Sequence, residues 1–169
     1  RYAQIKSAWD NNQMDVVQQL MPTLQTYPLY PYLQYRQITD DLMSEPALTV
    51  TQFVQQYPTL PAARTLKNRF VNELARRQDW QGLLAFSPDK PTTTEAQCNY
   101  YFAKWNSGQA DEAWAGAKDL WLSGKSQPNA CDQLFGAWRA SGKQDPLAYL
   151  ERIRLAMKAG NTRLVTLLA

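Results

Sequence analysis

One eight-residue pattern occurs twice in this 169-residue chain and restricts its fold more than any other feature. Residues 98–105 (CNYYFAKW) and 131–138 (CDQLFGAW) place cysteine, phenylalanine and tryptophan at the same positions, offset by 33 residues. The apolar residues recur at intervals of three and four, which is the spacing of one buried helix face. The two segments are therefore predicted to be equivalent helices of successive structural repeats.

Four glycines divide the second half of the chain into segments of similar length. Gly108, Gly124, Gly142 and Gly160 lie 16, 18 and 18 residues apart, so every second glycine is separated by 34 or 36 residues. That period is typical of tetratricopeptide-type helix pairs. Each glycine is expected to end a helix, because glycine adopts positive φ at little cost. Such pairs cannot bury their apolar faces alone, so they stack into an α-superhelix.

The composition also favours an all-α fold, with 20 Ala and 20 Leu against only 6 Val and 3 Ile. The predicted architecture is an α-solenoid of short antiparallel helix-turn-helix pairs, and the alternative is an irregular helical bundle. Eleven helices are predicted, at residues 2–10, 13–25, 29–43, 49–57, 61–77, 79–85, 94–106, 110–123, 129–140, 146–159 and 161–169.

Local patterns also predict helix caps and one buried face. Thr94 and Gln97 have the spacing of a capping box, and Asp145 followed by proline is an N-cap signal. Leu150, Ile153 and Met157 continue the periodic apolar pattern, so they are predicted to form the buried face of the tenth helix.

The two cysteines occupy the same position in the two repeated segments. Equivalent helices of successive repeats are neighbours, so Cys98 and Cys131 are expected to form a disulfide. Closing a 34-residue loop contributes roughly 4 kcal/mol in the loop-entropy model. A disulfide also requires an oxidising compartment. The alternative is that both are free, buried cysteines of a cytosolic repeat protein.

The chain contains no histidine, which excludes several kinds of catalytic and metal site. Ser-His-Asp and Cys-His nucleophiles, HExxH zinc sites and imidazole acids or bases are all ruled out. The only acids at i, i+4 are Asp41 and Glu45, and the remaining glutamates are scattered, so no catalytic pair, metal or cofactor is predicted. A net charge of +3 does not indicate nucleic-acid binding, and no apolar run is long enough to span a bilayer.

Two groups of residues are weak candidates for ligand or partner contact. Tyr27, Tyr30, Tyr32 and Tyr35 surround two prolines and could stack on sugars or peptides, although such rings more often pack between helices. The segment from Arg139 to Arg163 holds six cations, including the candidate contacts Arg152 and Arg154. This segment either faces an anionic polymer, such as peptidoglycan with acidic stem peptides, or is a solvated face with local ion pairs.

Several longer segments have a pattern that is unlikely to arise by coincidence. They are Tyr27-Pro-Leu-Tyr-Pro-Tyr-Leu33, Gln34-Tyr-Arg-Gln-Ile-Thr-Asp40, Phe70-Val-Asn-Glu-Leu-Ala-Arg-Arg77, Leu83-Leu-Ala-Phe86, Gln97-Cys-Asn-Tyr-Tyr101 and Gln144-Asp-Pro-Leu-Ala-Tyr-Leu150. Together they resemble the N-terminal region of the large soluble lytic murein transglycosylases of Gram-negative bacteria, and the resemblance covers essentially the whole chain.

The resemblance implies a U-shaped α-superhelical domain that forms a ring with a linker domain and carries a lysozyme-like catalytic domain. Family members cleave the β-1,4 bond between N-acetylmuramic acid and N-acetylglucosamine and form a 1,6-anhydro ring. They are periplasmic and need no cofactor, and their N-terminal domain has a disulfide that matches Cys98 and Cys131. The expected partners are glycan strands, the other domains of the enzyme and peptidoglycan synthases.

The chain departs from the family in the residues that carry catalysis. It has none of the family's Glu-Ser, Gly-Leu-Met-Gln and Ala-Tyr-Asn motifs, so no catalytic residue is carried over. Residues 1–169 are therefore expected to be the N-terminal portion of the U-shaped domain, without the linker and catalytic domains and with a signal peptide removed or not included. The leading hypothesis is a non-catalytic scaffold. The alternatives are a stand-alone tetratricopeptide-like interaction module and a glycosidase that uses its own carboxylates.

Overall fold

The computed structural model describes all residues from 1 to 169 and contains α-helices but no strands, which confirms the all-α class. Short 3₁₀ turns at Met21–Leu24 and Leu42–Ser44 follow the second and third helices. None of the helices combines the length and the apolar character needed to cross a membrane. The helices are α1 (Tyr2–Asp10), α2 (Met14–Leu20), α3 (Tyr30–Asp40), α4 (Ala47–Gln56), α5 (Pro61–Arg76), α6 (Trp80–Phe86), α7 (Thr94–Asn106), α8 (Ala110–Trp121), α9 (Ala130–Ala140), α10 (Pro146–Lys158) and α11 (Thr162–Leu168).

The chain divides into two compact units, Arg1–Leu66 and Lys67–Ala169. The first unit has a core of Ile5, Trp9, Val17 and Leu33, contributed by α1, α2 and α3. Its second helix is shorter than the predicted segment 13–25, because it gives way to the 3₁₀ turn at Met21–Leu24. Pro22 lies in that turn and has no backbone N–H to donate, so the α-helical hydrogen bonding is interrupted there.

Polar contacts around Trp9 join α3 to α1 in the first unit. The Trp9 indole N–H donates a hydrogen bond to the Asp40 carboxylate. The Arg36 guanidinium lies 4.9 Å from the centre of the Trp9 ring, and its Nη2 is 2.9 Å from Oδ1 of Asp10. A buried indole is stabilised when its N–H finds an acceptor, so these contacts set the position of α3 against α1.

The core of the second unit is built around Trp121 at the end of α8. Its ring centre lies 5.0 Å from that of Phe135 and 6.2 Å from that of Trp138, both on α9. Its indole N–H donates a buried hydrogen bond of 2.9 Å to the carbonyl oxygen of Ala148 on α10. One side chain therefore ties three helices together, by ring packing on one side and by a hydrogen bond on the other.

The predicted buried face of α10 is wrong at two of its three residues. Leu150 and Met157 are 61% and 65% exposed, and Ile153 is partly buried against the core, whereas the buried positions of the helix are Ala148, Arg152 and Ala156. Two alanines let the helix backbone approach the core closely, and the guanidinium of Arg152 is covered by aromatic rings. The periodic pattern pointed to the other side because an arginine is ordinarily assigned to solvent.

Three of the four glycines end helices as predicted. Gly108, Gly142 and Gly160 have φ values of 81°, 75° and 73° and follow α7, α9 and α10. Gly124 does not have positive φ, so that prediction is wrong at this position. A Cβ atom on Gly124 would lie 2.4 Å from the carbonyl oxygen of Leu155, so glycine is needed there for close approach to α10.

The cap of α10 is as predicted, and that of α7 differs by one residue. Asp145 accepts a hydrogen bond from the backbone N–H of Leu147. At α7 the capping side chain is Thr93, which accepts from the N–H of Ala96, while Gln97 donates to the carbonyl of Pro91. The capping box predicted for Thr94 and Gln97 is therefore wrong, because the helix begins after a different threonine in a run of three.

A pair of glycine substitutions tests the packing of the second unit. A Cβ atom on Gly116 of α8 would lie 2.3 Å from Cζ of the Tyr101 ring, whereas a Cβ on Gly136 of α9 would meet nothing within 4 Å. We expect Gly116→Ala to lower the free energy of unfolding by about 1–3 kcal/mol. Gly136→Ala should raise it by up to about 1 kcal/mol, because alanine is the better helix former.

Urea denaturation followed by circular dichroism measures both free energies. Gly136→Ala is the matched control, since it makes the same chemical change in the middle of a helix in the same unit. If both variants gained stability equally, the Tyr101 ring would not be held against Gly116.

Candidate functional site

A buried disulfide joins two neighbouring helices of the second unit. Cys98 on α7 and Cys131 on α9 are bonded, with their Cα atoms 5.0 Å apart and both side chains fully buried. The two helices carry the repeated eight-residue pattern, so the structure brings its two copies side by side. The disulfide expected from the sequence is present, and it holds together two helices that contribute to a surface groove.

Four of the eight residues that line that groove carry side-chain amides, and the groove lies across α5, α7 and α9. It has a volume of about 330 Å³ and we call it the amide groove. Asn99, which is buried, donates a 2.8 Å hydrogen bond from Nδ2 to Oδ1 of Asn72, so the floor of the groove is a fixed pair of amides. Its lining residues are Asn72, Ala75, Arg76, Glu95, Asn99, Asn129, Ala130 and Gln133.

Aromatic side chains line a second cavity, which shares several residues with the amide groove. It has a volume of about 420 Å³ and is also lined by Ala75, Arg76 and Gln133. Here Trp80 and Phe102 pack edge to face, with ring centres 5.2 Å apart. Amides supply both donors and acceptors, and aromatic rings supply flat apolar surface, so the two cavities together suit a neutral polar chain such as a glycan.

Sequence reasoning missed the amide groove because its residues come from three separate helices. Single asparagines and glutamines on a helix are indistinguishable from ordinary solvated positions. The repeat offered no direct signal, because Asn99 aligns with Asp132 and Gln133 aligns with Tyr100.

The four candidate tyrosines lie in the first unit and have different surroundings. Tyr27 packs against Tyr2 with ring centres 5.4 Å apart, and Tyr35 lies 6.4 Å from the ring of Phe53. Tyr30 packs against the core of the first unit, whereas Tyr32 is 47% exposed. Packing within the first unit involves Tyr27, Tyr30 and Tyr35, of which Tyr27 is still 39% exposed, and contact of these tyrosines with a ligand stays a prediction.

The candidate arginines of α10 lie in opposite environments although only one residue separates them. Arg154 is exposed and forms an ion pair with Glu151, with Nε 3.0 Å from Oε2, and this pairing lowers the pKa of Glu151. This ion pair at Arg154 corresponds to the second alternative for the basic segment, a solvated face with local ion pairs. Arg152 is 4% exposed and lies 4.3 Å from the centre of the Trp121 ring, so it is not part of that face.

The glutamates do not form a catalytic pair. Glu73 is buried and accepts from Nε of Arg76 at 2.7 Å, and Glu112 lies 3.0 Å from Nζ of Lys104. Glu45 remains near Asp41, and its pKa is raised by partial burial and by the negative charge of that aspartate. A two-carboxylate glycosidase needs acids on both sides of one sugar bond, whereas Glu73, Glu112 and Glu151 each have a basic side chain beside them.

No family model matches the chain. Individual proteins, however, match it over its whole length. The soluble lytic murein transglycosylase of Escherichia coli strain K12 is 80% identical over all 169 residues. That of Salmonella typhimurium strain LT2 is 79% identical over the same length. The chain spans only 26% of each of these proteins.

Solved structures give the same result for the fold. The crystal structure of the 70-kDa soluble lytic transglycosylase from Escherichia coli matches with a TM-score of 0.98 at 80% identity, over 99% of this chain and 27% of that one. The complex of a 70-kDa soluble lytic transglycosylase with bulgecin A matches equally well. An inactive mutant of lytic transglycosylase Slt from Pseudomonas aeruginosa matches with a TM-score of 0.90 at 35% identity, with the same coverage. By sequence and by fold, the chain is thus similar over its whole length to the N-terminal quarter of soluble lytic murein transglycosylases.

Proposed function

We propose that residues 1–169 are a non-catalytic scaffold segment of a peptidoglycan-cleaving lytic transglycosylase. The observation that carries the proposal is the 80% identity along the whole chain to a protein of which it spans only 26%. The complete enzyme would cleave the β-1,4 bond between N-acetylmuramic acid and N-acetylglucosamine and leave 1,6-anhydromuramic acid. In it, these helices would be the N-terminal portion of a U-shaped domain, and the linker and lysozyme-like domains would lie elsewhere in the protein.

Within that enzyme, the second unit would guide glycan strands along the amide groove. Asn129 and Gln133 are exposed at the groove and can hydrogen-bond to hydroxyl and acetamido groups, while Trp80 and Phe102 offer apolar ring surface. The fixed pair of Asn72 and Asn99 beneath them keeps the floor polar. This chemistry suits a neutral sugar backbone better than a charged polymer.

The proposed location is the periplasm of a Gram-negative bacterium. The disulfide between Cys98 and Cys131 supports it, because such bonds persist in oxidising compartments and are rare in the cytosol. The proposed partners are the remaining domains of the same enzyme and, in the cell, peptidoglycan synthases.

A tetratricopeptide-like interaction module is the second candidate, and the amide groove also supports it. Side-chain amides that bind sugar hydroxyls can bind the backbone of an extended peptide equally well. The two functions differ in what the groove retains, either insoluble peptidoglycan or a peptide in solution.

Incubation of the purified 169-residue chain with insoluble peptidoglycan tests the proposal. We expect the chain to sediment with the polymer and to release no anhydromuropeptides, because it lacks the catalytic motif. The longer protein that contains this segment is the positive control for release. Gln133→Ala should lower the sedimented fraction severalfold, and Gln18→Ala on an exposed face of α2 is the matched control.

Two results would contradict the proposal. Release of anhydromuropeptides by the purified chain would mean that it has its own catalytic carboxylates. Failure of both the chain and the longer protein to sediment with peptidoglycan, together with binding of an extended peptide by the chain, would favour the interaction module.

A further inference from the structure

The largest cavity described in the second unit lies beside α9, α10 and α11 and has an unusual charge. Its volume is about 640 Å³, and three arginines but only one aspartate line it. Those residues are Arg139 on α9, Arg152 on α10, Arg163 on α11 and Asp132 on α9. Leucines of α11, among them Leu164 and Leu168, supply an apolar wall.

Arg152 is the buried member of this set, and its charge is not neutralised by a hydrogen-bonded partner. Its Nε is inaccessible to solvent and has no hydrogen-bond acceptor. Its guanidinium carbon lies 4.3 Å from the centre of the Trp121 ring and 5.3 Å from that of Phe135. Asp132 is close enough to favour the charged form electrostatically but does not form an ion pair with it.

Such an arrangement is costly unless something compensates for it. Burial lowers the pKa of Arg152, and desolvation is the largest cause. The two aromatic rings compensate in part, because a cation over a ring face is attracted by the ring quadrupole. They provide no hydrogen-bond acceptors, however, and buried charged groups are ordinarily paired as well as stacked. Arg152 is one of the residues that line the cavity, so an acceptor bound there could supply a hydrogen-bond partner for the guanidinium.

We propose that this cavity binds the carboxylate of an acidic peptide, with Arg152 as the buried anchor. The planar guanidinium fork matches a carboxylate, and pairing of the two is strongest where water is excluded. Arg139 and Arg163 are exposed and would attract the anion at the entrance, whereas the apolar wall would hold the aliphatic part of the peptide. The identity of the peptide rests on the proposed function, in which acidic stem peptides extend from the glycan strand.

The contrary view is that Arg152 is only a packing residue that fills the space between two rings. An exposed arginine on the same helix separates the two views. Arg154 is ion-paired with Glu151 at the surface and does not line the cavity. Removal of either arginine changes the net charge equally, so the variants Arg152→Met and Arg154→Met differ only in position. Methionine keeps an unbranched apolar side chain in the space that Arg152 occupies.

Titration with the dipeptide L-Ala-γ-D-Glu tests the proposal, with calorimetry and the NMR signal of the Arg152 Nε–H group as readouts. We expect saturable binding that shifts this signal, because a carboxylate at the guanidinium changes its hydrogen bonding. Arg152→Met should weaken binding by about tenfold or more, as expected for loss of a charge-assisted hydrogen bond. Arg154→Met should change the affinity less than twofold. The diamide of the dipeptide, in which both carboxylates are replaced by amides, should not bind.

Several outcomes would overturn the proposal. They are an unshifted Arg152 signal, equal affinities for the two methionine variants, and binding of the diamide, which lacks both carboxylates. Tighter binding of inorganic phosphate than of the dipeptide would also reject a peptide carboxylate as the ligand. The same titration in the longer protein shows whether the cavity stays open there, and loss of binding in that protein would overturn the proposal as well.

The test is separable from that of the proposed function. Dipeptide binding that depends on Arg152, in a protein that does not sediment with peptidoglycan, would support the carboxylate site and contradict the glycan scaffold. Sedimentation without dipeptide binding would support the glycan scaffold and contradict the carboxylate site.

Discussion

Replacement of Trp121 by alanine is expected to lower the free energy of unfolding by about 3–5 kcal/mol, because it removes the central ring of the second unit's core. The side chain is buried and packs on the rings of Phe135 and Trp138. Its removal leaves a large cavity and deprives the Ala148 carbonyl of its indole donor. It also uncovers the guanidinium of Arg152, whose nearest described ring contact is with Trp121.

Urea denaturation followed by far-ultraviolet circular dichroism measures this loss. Trp105→Ala is the control, because that ring is partly exposed and contacts only Phe102 and Trp114 among the described ring pairs. We expect the control to cost about 1 kcal/mol. Similar losses for the two variants would show that Trp121 does not occupy the centre of the core.

Breaking the disulfide is expected to cost about 2–4 kcal/mol of stability. The bond links α7 to α9 across 33 positions of sequence, so it removes many conformations from the unfolded chain. Both sulfurs are buried, and replacement by alanine leaves only a small void. The double variant Cys98→Ala/Cys131→Ala should therefore still fold, at a lower urea midpoint.

Wild-type protein denatured in the presence of a thiol reductant is the matched comparison, and its midpoint should approach that of the double variant. Thiol titration of the unfolded, unreduced chain should find no free sulfhydryl. Two free thiols in this titration would contradict the disulfide and would remove the support that it gives to a periplasmic location.

Those parts of the fold that depend on neighbouring residues in sequence were predictable. The N-cap at Asp145 and the helix ends at Gly108, Gly142 and Gly160 follow from backbone preferences within one turn. The pairing of Cys98 with Cys131 was also within reach, although the two residues are distant in sequence. Repetition places equivalent positions side by side, so a long-range contact could be inferred from a local pattern.

Features that depend on packing between helices were not predictable from one sequence. Gly124 has the spacing of a helix terminator, yet its role depends on the carbonyl of Leu155, 31 residues later. From the sequence alone, Arg152 is expected to be a surface cation. In the structure, two aromatic rings from other helices cover its guanidinium. The amide groove was missed for the same reason, because Asn72 and Asn99 meet only when α5 and α7 pack together.

The distribution of tryptophans has a spectroscopic consequence. Trp9 is the sole indole of Arg1–Leu66, and the other five tryptophans belong to Lys67–Ala169. Trp9 is buried beside the Asp40 carboxylate and the Arg36 guanidinium, so its emission will respond when those contacts break. Intrinsic fluorescence of the whole chain is thus dominated by the second unit, whereas Trp9 is the indole that reports on the first unit. The native tryptophans, one in the first unit and five in the second, are therefore optical labels that can show whether the two units unfold together.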